Sequence, residues 1–294
     1  MKNFIGIDLG TTNSSISSFD GDKVKIWKSP EQNDITPSVI FMNKRTKYYG
    51  QRAYDNEPFN SENTAKLFKR FMGTSTKIEF PALELSKTPE ECSSEILSVL
   101  YGYLPEEMRN SDDTFSVITV PAAFNQIQKT ATLKAASMAG IGKVALMQEP
   151  IAAVMSVMRS DNSDGIFLIF DLGGGTLDIA IAESIDGSVS LLSHGGIAMC
   201  GGRDFDRLLV KEVIKPWLEE NFLLPKDFSN MKDYATLIKL CNWAAEKAKI
   251  ELSSKHNSLI TLSENEIRLN DLDGEPLYLD IPIDRKIFNS IIEE

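Results

Sequence analysis

Apolar positions near the start of the chain fall into short runs broken by glycine rather than into a helical stripe. Phe4-Ile5-Gly6-Ile7-Asp8-Leu9 ends in Gly10-Thr11-Thr12; an alternating stretch follows, then an Asp20-Gly21 pair and a third run from Val24 to Trp27. The same succession returns at Phe167-Leu168-Ile169-Phe170-Asp171-Leu172-Gly173-Gly174-Gly175-Thr176, followed by Leu177 to Ile185, an Asp186-Gly187 pair and Val189 to Leu192. Short apolar runs bounded by turn residues predict strands, and Asp-Gly between two of them predicts a tight hairpin. Each copy therefore reads as a buried strand, a glycine-rich turn, a second strand and a hairpin into a third. Asp8 and Asp171 occupy equivalent places, and a repeat of this kind fixes architecture before any single motif does.

Helical periodicity takes over between and after the copies. A helix is expected over Ser61 to Met72, and Thr88-Pro89-Glu90-Glu91 carries the cap, first-turn proline and returning glutamate of a capping box. Another helix should start at Asn125 and stop at Gly140, where glycine accepts a left-handed C-cap. Further helices are expected over Asp204 to Phe222, kinked or broken by Pro216, and over Ser229 to Ser254. Strands alternating with helices in two related halves predict an α/β fold of two duplicated lobes facing a cleft, with ligand at the carboxyl ends of the strands. Both aspartates and both glycine turns lie at that end.

Length and composition narrow the picture. At 294 residues two lobes of ordinary domain size are expected, and 42% apolar with 25% charged residues excludes a disordered chain. The net charge of −11 repels a phosphate backbone over most of the surface, so nucleic acid is not expected as a general partner. It does not forbid a nucleotide, which backbone amides and a lysine can hold locally. Cys92, Cys200 and Cys241 are widely spaced and odd in number, against a disulfide framework or a zinc site. With no signal peptide and no long apolar run, a cytoplasmic protein without a membrane partner is expected.

The turns have the chemistry of a metal-nucleotide site. Glycines at 10, 173, 174 and 175 let the chain bend sharply and bring amides to phosphate oxygens, and Thr11, Thr12 and Thr176 add hydroxyls. Magnesium keeps much of its water, so one or two carboxylates such as Asp8 and Asp171 suit it. An aspartate beside glycines more often only closes a turn; two equivalent instances in a duplicated frame reverse that preference.

Ile5-Gly6-Ile7-Asp8-Leu9-Gly10-Thr11-Thr12-Asn13-Ser14 and Phe170-Asp171-Leu172-Gly173-Gly174-Gly175-Thr176-Leu177-Asp178 resemble the two phosphate motifs of the DnaK-type, seventy-kilodalton heat-shock family. So, in order, do Leu67-Phe68-Lys69-Arg70, Val120-Pro121-Ala122-Ala123-Phe124-Asn125, Gln148-Glu149-Pro150-Ile151-Ala152-Ala153, Gly201-Gly202-Arg203-Asp204-Phe205-Asp206 and the stretch Ala245 to Ser254. The resemblance implies the actin-like ATPase fold, with duplicated ribonuclease H-like β-β-β-α-β-α lobes at 1–164 and 165–294. It implies a chaperone module that binds ATP or ADP with Mg2+, and with K+ as a further candidate cation. Its partners would be unfolded peptide clients, held by a separate C-terminal domain, a J-domain co-chaperone and a nucleotide exchange factor. By resemblance Lys69 reaches the γ-phosphate and attacking water, Glu149, Asp178 and Thr176 complete the catalytic set, and Asp8 and Asp171 serve the metal. Gly10, Thr11, Thr12, Asn13, Gly173, Gly174, Gly175, Gly201 and Gly202 would hold phosphates. Glu246, Lys249 and Ser253, at helical spacing, would grip ribose and adenine.

Departures from the family pattern set up the alternative. Ala123, Gln126 and Lys129 stand where the family has tyrosine, aspartate and arginine, and a lysine does not replace a forked guanidinium. Arg203 replaces an acidic residue, the stretch from Met72 to Thr88 is short for the family, and His194 and His256 read as structural or surface residues. The family's domain continues past the position of Glu294 with another glycine-rich motif over the adenosine. A truncated second lobe that binds ATP weakly or not at all is therefore expected. A nucleotide-gated interaction module with weak or no hydrolysis is the competing function. A sugar kinase or filament protein of the same fold has no matching insert.

Overall fold

The structure, a computed structural model, describes residues 2–158, 164–198 and 200–293. The chain divides into two compact units, residues 1–197 and 198–294.

In the first unit the strands are β1 (Asn3–Asp8), β2 (Asn13–Phe19), β3 (Val24–Ile26), β4 (Thr36–Pro37), β5 (Val39–Met42), β6 (Lys47–Tyr49), β7 (Thr64–Lys66), β8 (Ile78–Phe80), β9 (Leu85–Lys87), β10 (Thr114–Val120), β11 (Lys143–Gln148), β12 (Gly165–Leu172), β13 (Thr176–Ile185) and β14 (Ser188–Ala198). Its helices are α1 (Gln51–Asn56), α2 (Pro89–Tyr101), α3 (Glu106–Arg109), α4 (Gln126–Met138) and α5 (Glu149–Met158). The first sheet runs β11-β10-β1-β2-β3, with β4 also on β2. Strand β1 pairs in parallel with β10 and antiparallel with β2. The second copy forms its own sheet, β12-β13-β14, and β12 and β13 are antiparallel, as the repeat predicts.

Ile5, Ile7, Leu9 and Ile16 put the core face of the first sheet against Ile96, Leu97 and Leu100 of α2 and Ala131, Ala135 and Ala136 of α4. Both helices start as their sequences require. Thr88 Oγ1 accepts the Glu91 N–H while a Glu91 carboxylate oxygen accepts the Thr88 N–H, and Asn125 and Gln128 repeat the exchange at α4. Gly140 follows α4 at φ +76°, the left-handed conformation expected of it.

Two of the helix expectations change. No helix spans Ser61 to Met72: a 3-10 turn (Ser61–Asn63), strand β7 and a second 3-10 turn (Phe68–Phe71) take its place. Strand β7 pairs with β5, and Leu67 at φ +61° cannot sit inside a right-handed helix, so tertiary pairing overrides local propensity. The helix expected over Ser229 to Ser254 runs only from Ala235, after two 3-10 turns. The compact units meet at 197/198. Helix α5 packs on β12 and β13, where Val154, Met158 and Ala182 close a small core with Phe167 and Ile169. That packing keeps the second copy with the first unit.

The second unit contains α6 (Gly202–Leu209), α7 (Lys215–Asn221), α8 (Ala235–Ser254), β15 (Asn257–Leu262), α9 (Glu264–Ile267), β16 (Leu279–Asp284) and α10 (Arg285–Ile292). The α-helical hydrogen bonding of the expected helix is interrupted just before Pro216: a π-helical stretch, Val210–Ile214, joins α6 to α7. Pro216 has no N–H and its ring crowds the carbonyl four residues back, which a wider turn relieves. Helix α8 lays Leu237, Leu240, Cys241, Ala244, Ala248 and Leu252 in one core with the β15–β16 pair. Cys92, Cys200 and Cys241 are free thiols, and burial pushes Cys92 and Cys241 up to about 12, so neither supplies a thiolate at neutral pH.

Candidate functional site

Asp8 closes β1 beside Thr119 of β10, its register partner, and Thr119 Oγ1 donates to Asp8 Oδ1 at 3.0 Å. The turn that follows is tied from both sides. Gly10 N–H donates to Ser14 Oγ at 3.1 Å, and Ser38 Oγ donates to the Gly10 carbonyl at 2.8 Å. A Cβ on Gly10 would stand 1.9 Å from the Asn13 carbonyl oxygen, a clash with backbone that only glycine avoids. Thr11, Thr12 and Asn13 complete this turn, with Asn13 opening β2.

The second turn closes more simply. Gly173 N–H donates to the Thr176 carbonyl at 2.9 Å and Thr176 Oγ1 to Asp178 Oδ2 at 3.3 Å. Asp171 and Asp178 face each other in the β12–β13 register. The two turns abut: a Cβ added to Gly174 would come within 2.3 Å of Thr12 Oγ1. Gly196 of β14 also passes close, since a Cβ there would lie 2.8 Å from Asp178 Oδ1.

Lys69, on the 3-10 turn after the left-handed Leu67, is nearly buried, and its Nζ donates to Glu149 Oε1 at 2.8 Å. Glu149 is the first residue of α5. Burial raises the Glu149 pKa above the ordinary carboxylate value; Lys69 opposes the rise, and Asp8 and Asp171 add to it. Asp171 is raised in the same way, by burial first and then by the Asp178 and Asp8 charges, against Lys69. Asp8, Asp171, Asp178, Glu149 and Lys69 therefore share one electrostatic neighbourhood. A cavity of about 310 Å3 opens beside it, lined by Glu149, Asp171 and Asp178 together with Ala122, Ala123 and His194.

The remaining expected residues belong to the second unit and form an assembly of their own. Gly201 and Gly202 open α6, and the Gly201 N–H donates to Asp204 Oδ2 at 3.0 Å. Lys249 reaches across from α8: its Nζ donates to the Gly202 carbonyl at 2.7 Å and lies 2.6 Å from Asp206 Oδ1. That oxygen has the distance of an ion pair without hydrogen-bond alignment. Burial pushes Asp206 up to about 6, with Lys249 resisting. Glu246 adds negative charge near Asp206, and Ser253 Oγ turns back to the Lys249 carbonyl at 3.4 Å.

Sequence reading missed Thr119, Ser38, Gly196 and Asp206 as parts of this chemistry, and took Ser14 only as the tail of a motif. Thr119 and Gly196 carry no local signal, because they meet the aspartates through strand pairing and strand passage. Asp206 sat inside a recognised stretch without a role until Lys249 gave it one.

The family model described as Hsp70 protein matches residues 4–294. This chain belongs to the Hsp70 family. With the family comes the actin-like ATPase fold, in agreement with the mixed sheets and paired turns. Among this Hsp70 chain's curated relatives, the chaperone protein dnaK of Gracilaria tenuistipitata var. liui is 35% identical over 324 aligned residues, covering 100% of this chain and 49% of that protein. The chaperone protein dnaK of Thalassiosira pseudonana is 33% identical over 317, covering 100% and 51%. The chain thus spans about half the length of the curated relatives it matches. Among the described residues, no helix of this Hsp70 chain is long and apolar enough to cross a membrane.

Proposed function

We propose that this chain is the nucleotide-binding part of a molecular chaperone, which hydrolyses ATP to ADP with Mg2+ and through that cycle governs the holding of unfolded peptide. The observation that carries the proposal is the meeting of the two turns, Gly174 against Thr12, in the field of Asp8, Asp171, Asp178, Glu149 and Lys69. The glycines let the two turns approach each other closely, the Gly10 and Gly173 amides shape those turns, and the Thr11, Thr12 and Thr176 hydroxyls would serve as donors to a run of phosphates. The carboxylates outnumber the single ammonium, which favours a cation beside them.

The donor set suits a hydrated Mg2+. Among the described residues no three His, Cys, Asp or Glu side chains converge to hold a metal ion, whereas Asp8 and Asp171 can hold its water. When bound, the ion would neutralise charge on the phosphate oxygens. K+ would find the same surplus of carboxylates. Lys69 balances charge at the terminal phosphate; Glu149, fixed by Lys69, and Asp178, fixed by Thr176, accept hydrogen bonds from the attacking water and orient it. Gly201, Gly202, Glu246, Lys249 and Ser253 are assigned to nucleotide contacts on the family resemblance, as are the lobes at 1–164 and 165–294. A J-domain co-chaperone, an exchange factor and a cytoplasmic setting follow from the same family.

One feature favours the alternative, a nucleotide-gated interaction module. Ala122 and Ala123 line the cavity rather than fill it, and the Gln126 amide turns to Thr130 of its own helix at 3.5 Å. A relay through this stretch has lost the hydroxyl and the fork that the family pattern supplies.

Single-turnover hydrolysis, with the chain in large excess over MgATP, tests the proposal. Lys69→Ala should slow it about a hundredfold, the loss of one preorganised charge. An unchanged rate would remove Lys69 from the reaction, and no hydrolysis of MgATP that the unaltered chain is shown to bind would favour the alternative.

A further inference from the structure

The first turn is joined to the segment that carries Lys69 through one buried side chain. Ser38 lies between β4 and β5 and is 1% exposed, as is Ser14. Its hydroxyl donates to the Gly10 carbonyl at 2.8 Å and lies 2.8 Å from Ser14 Oγ, which in turn accepts the Gly10 N–H. Its own N–H donates to the Thr12 carbonyl at 2.8 Å. Both backbone polar groups of Gly10 and the carbonyl of Thr12 are therefore engaged by a two-serine brace. In the second turn the Gly173 N–H donates to the Thr176 carbonyl of the same turn instead.

Ser38 also leads directly into the strand pair that precedes Lys69. Val39 begins β5 and is the register partner of Lys66, the last residue of β7. Three positions later comes Lys69, placed by the left-handed Leu67 and the buried Phe68. We propose that Ser38, with Ser14, is a positioning residue for the reaction. Its side chain sets the amides of the first turn, its backbone runs on into the pair that delivers Lys69, and the two are held at one spacing. The proposal rests on the ATP-hydrolysing function above. A serine that only filled space would need none of these hydrogen bonds, and a buried hydroxyl so fully engaged leaves its partners unsatisfied when removed.

Two readouts of this chain separate positioning from packing. Amide exchange at Gly10, followed by NMR without nucleotide, should speed up about tenfold or more in Ser38→Ala and in Ser14→Ala. Ser29→Ala, which removes an equally buried hydroxyl that serves a different loop, should leave it unchanged. Single-turnover hydrolysis should fall about tenfold in Ser38→Ala, with a thermal midpoint no lower than that of Ser29→Ala. Gly10 exchange and turnover matching the Ser29→Ala control would overturn the proposal. If Ser38→Ala does not fold, Ser14→Ala decides by the same exchange measurement. If the unaltered chain binds MgATP yet hydrolyses nothing, the ATPase function falls, and Gly10 exchange alone judges the brace.

Discussion

The two copies of the strand-turn-strand unit have similar sequences and different surroundings. Counting back from the shared aspartate, Ile7 and Ile5 of β1 correspond to Phe170 and Leu168 of β12. The first pair is 1% and 2% exposed beneath α2 and α4, the second 64% and 58% exposed. On the opposite face of β12, Phe167 and Ile169 pack on α5. The same apolar pattern thus makes a strand in both places, while burial depends on what the rest of the molecule lays over it. The turns differ likewise: the first is braced by Ser14 of its own second strand and by Ser38 from outside the copy, while the Gly173 N–H of the second donates to its own Thr176.

This contrast can be broken most sharply in the strands. Ile7→Ala removes side-chain volume from a packed core and should cost about 2–5 kcal/mol in denaturant unfolding. Phe170→Ala, at the equivalent place, should change stability by less than about 1 kcal/mol, because the ring has little contact to lose. Equal losses would mean that β12 is covered in solution on the face left open here.

A smaller effect concerns charge. Asp171 is raised above its ordinary value by burial and by Asp178 and Asp8. A raised folded-state pKa means that the stabilising, protonated form is complete below the unfolded value, about 3.9, and is lost as pH rises through the folded one. Asp171→Asn should therefore raise the thermal midpoint slightly at pH 7 in the absence of Mg2+, and flatten its decline as pH rises above about 4. No change in either would show that the second turn carries no uncompensated repulsion.

How far the sequence discloses this molecule depends on the range of each interaction. Both copies, their Asp-Gly hairpins and the caps at Thr88 and Asn125 rest on residues a few positions apart, and they were legible. The helix expected over Ser61 to Met72 was not, because β7 pairs with β5, a partner well upstream that no local pattern announces. Within the site, Asp8 and Asp171 stood out from the repeat and Lys69, Glu149 and Asp178 from the family resemblance, and the structure brings these side chains into one neighbourhood. Thr119, Ser38 and Gly196 were not legible, since each acts on a residue far away in sequence through strand register or close passage. Pro216 was legible as a disturbance of its helix, but not as the π-helical stretch that absorbs it.

Asp8 and Asp171 are proposed to act together on one hydrated cation and its triphosphate, and every other role in the site depends on that pairing. A double-mutant cycle with Asp8→Asn and Asp171→Asn, read as Mg2+-dependent ATP binding by calorimetry, tests this directly. Each single substitution should weaken binding about tenfold or more, and the double should fall short of the product of the two by about tenfold, because the second loss acts on a site already disabled. Losses that simply multiply would contradict the pairing, since the two carboxylates would then serve separate ends.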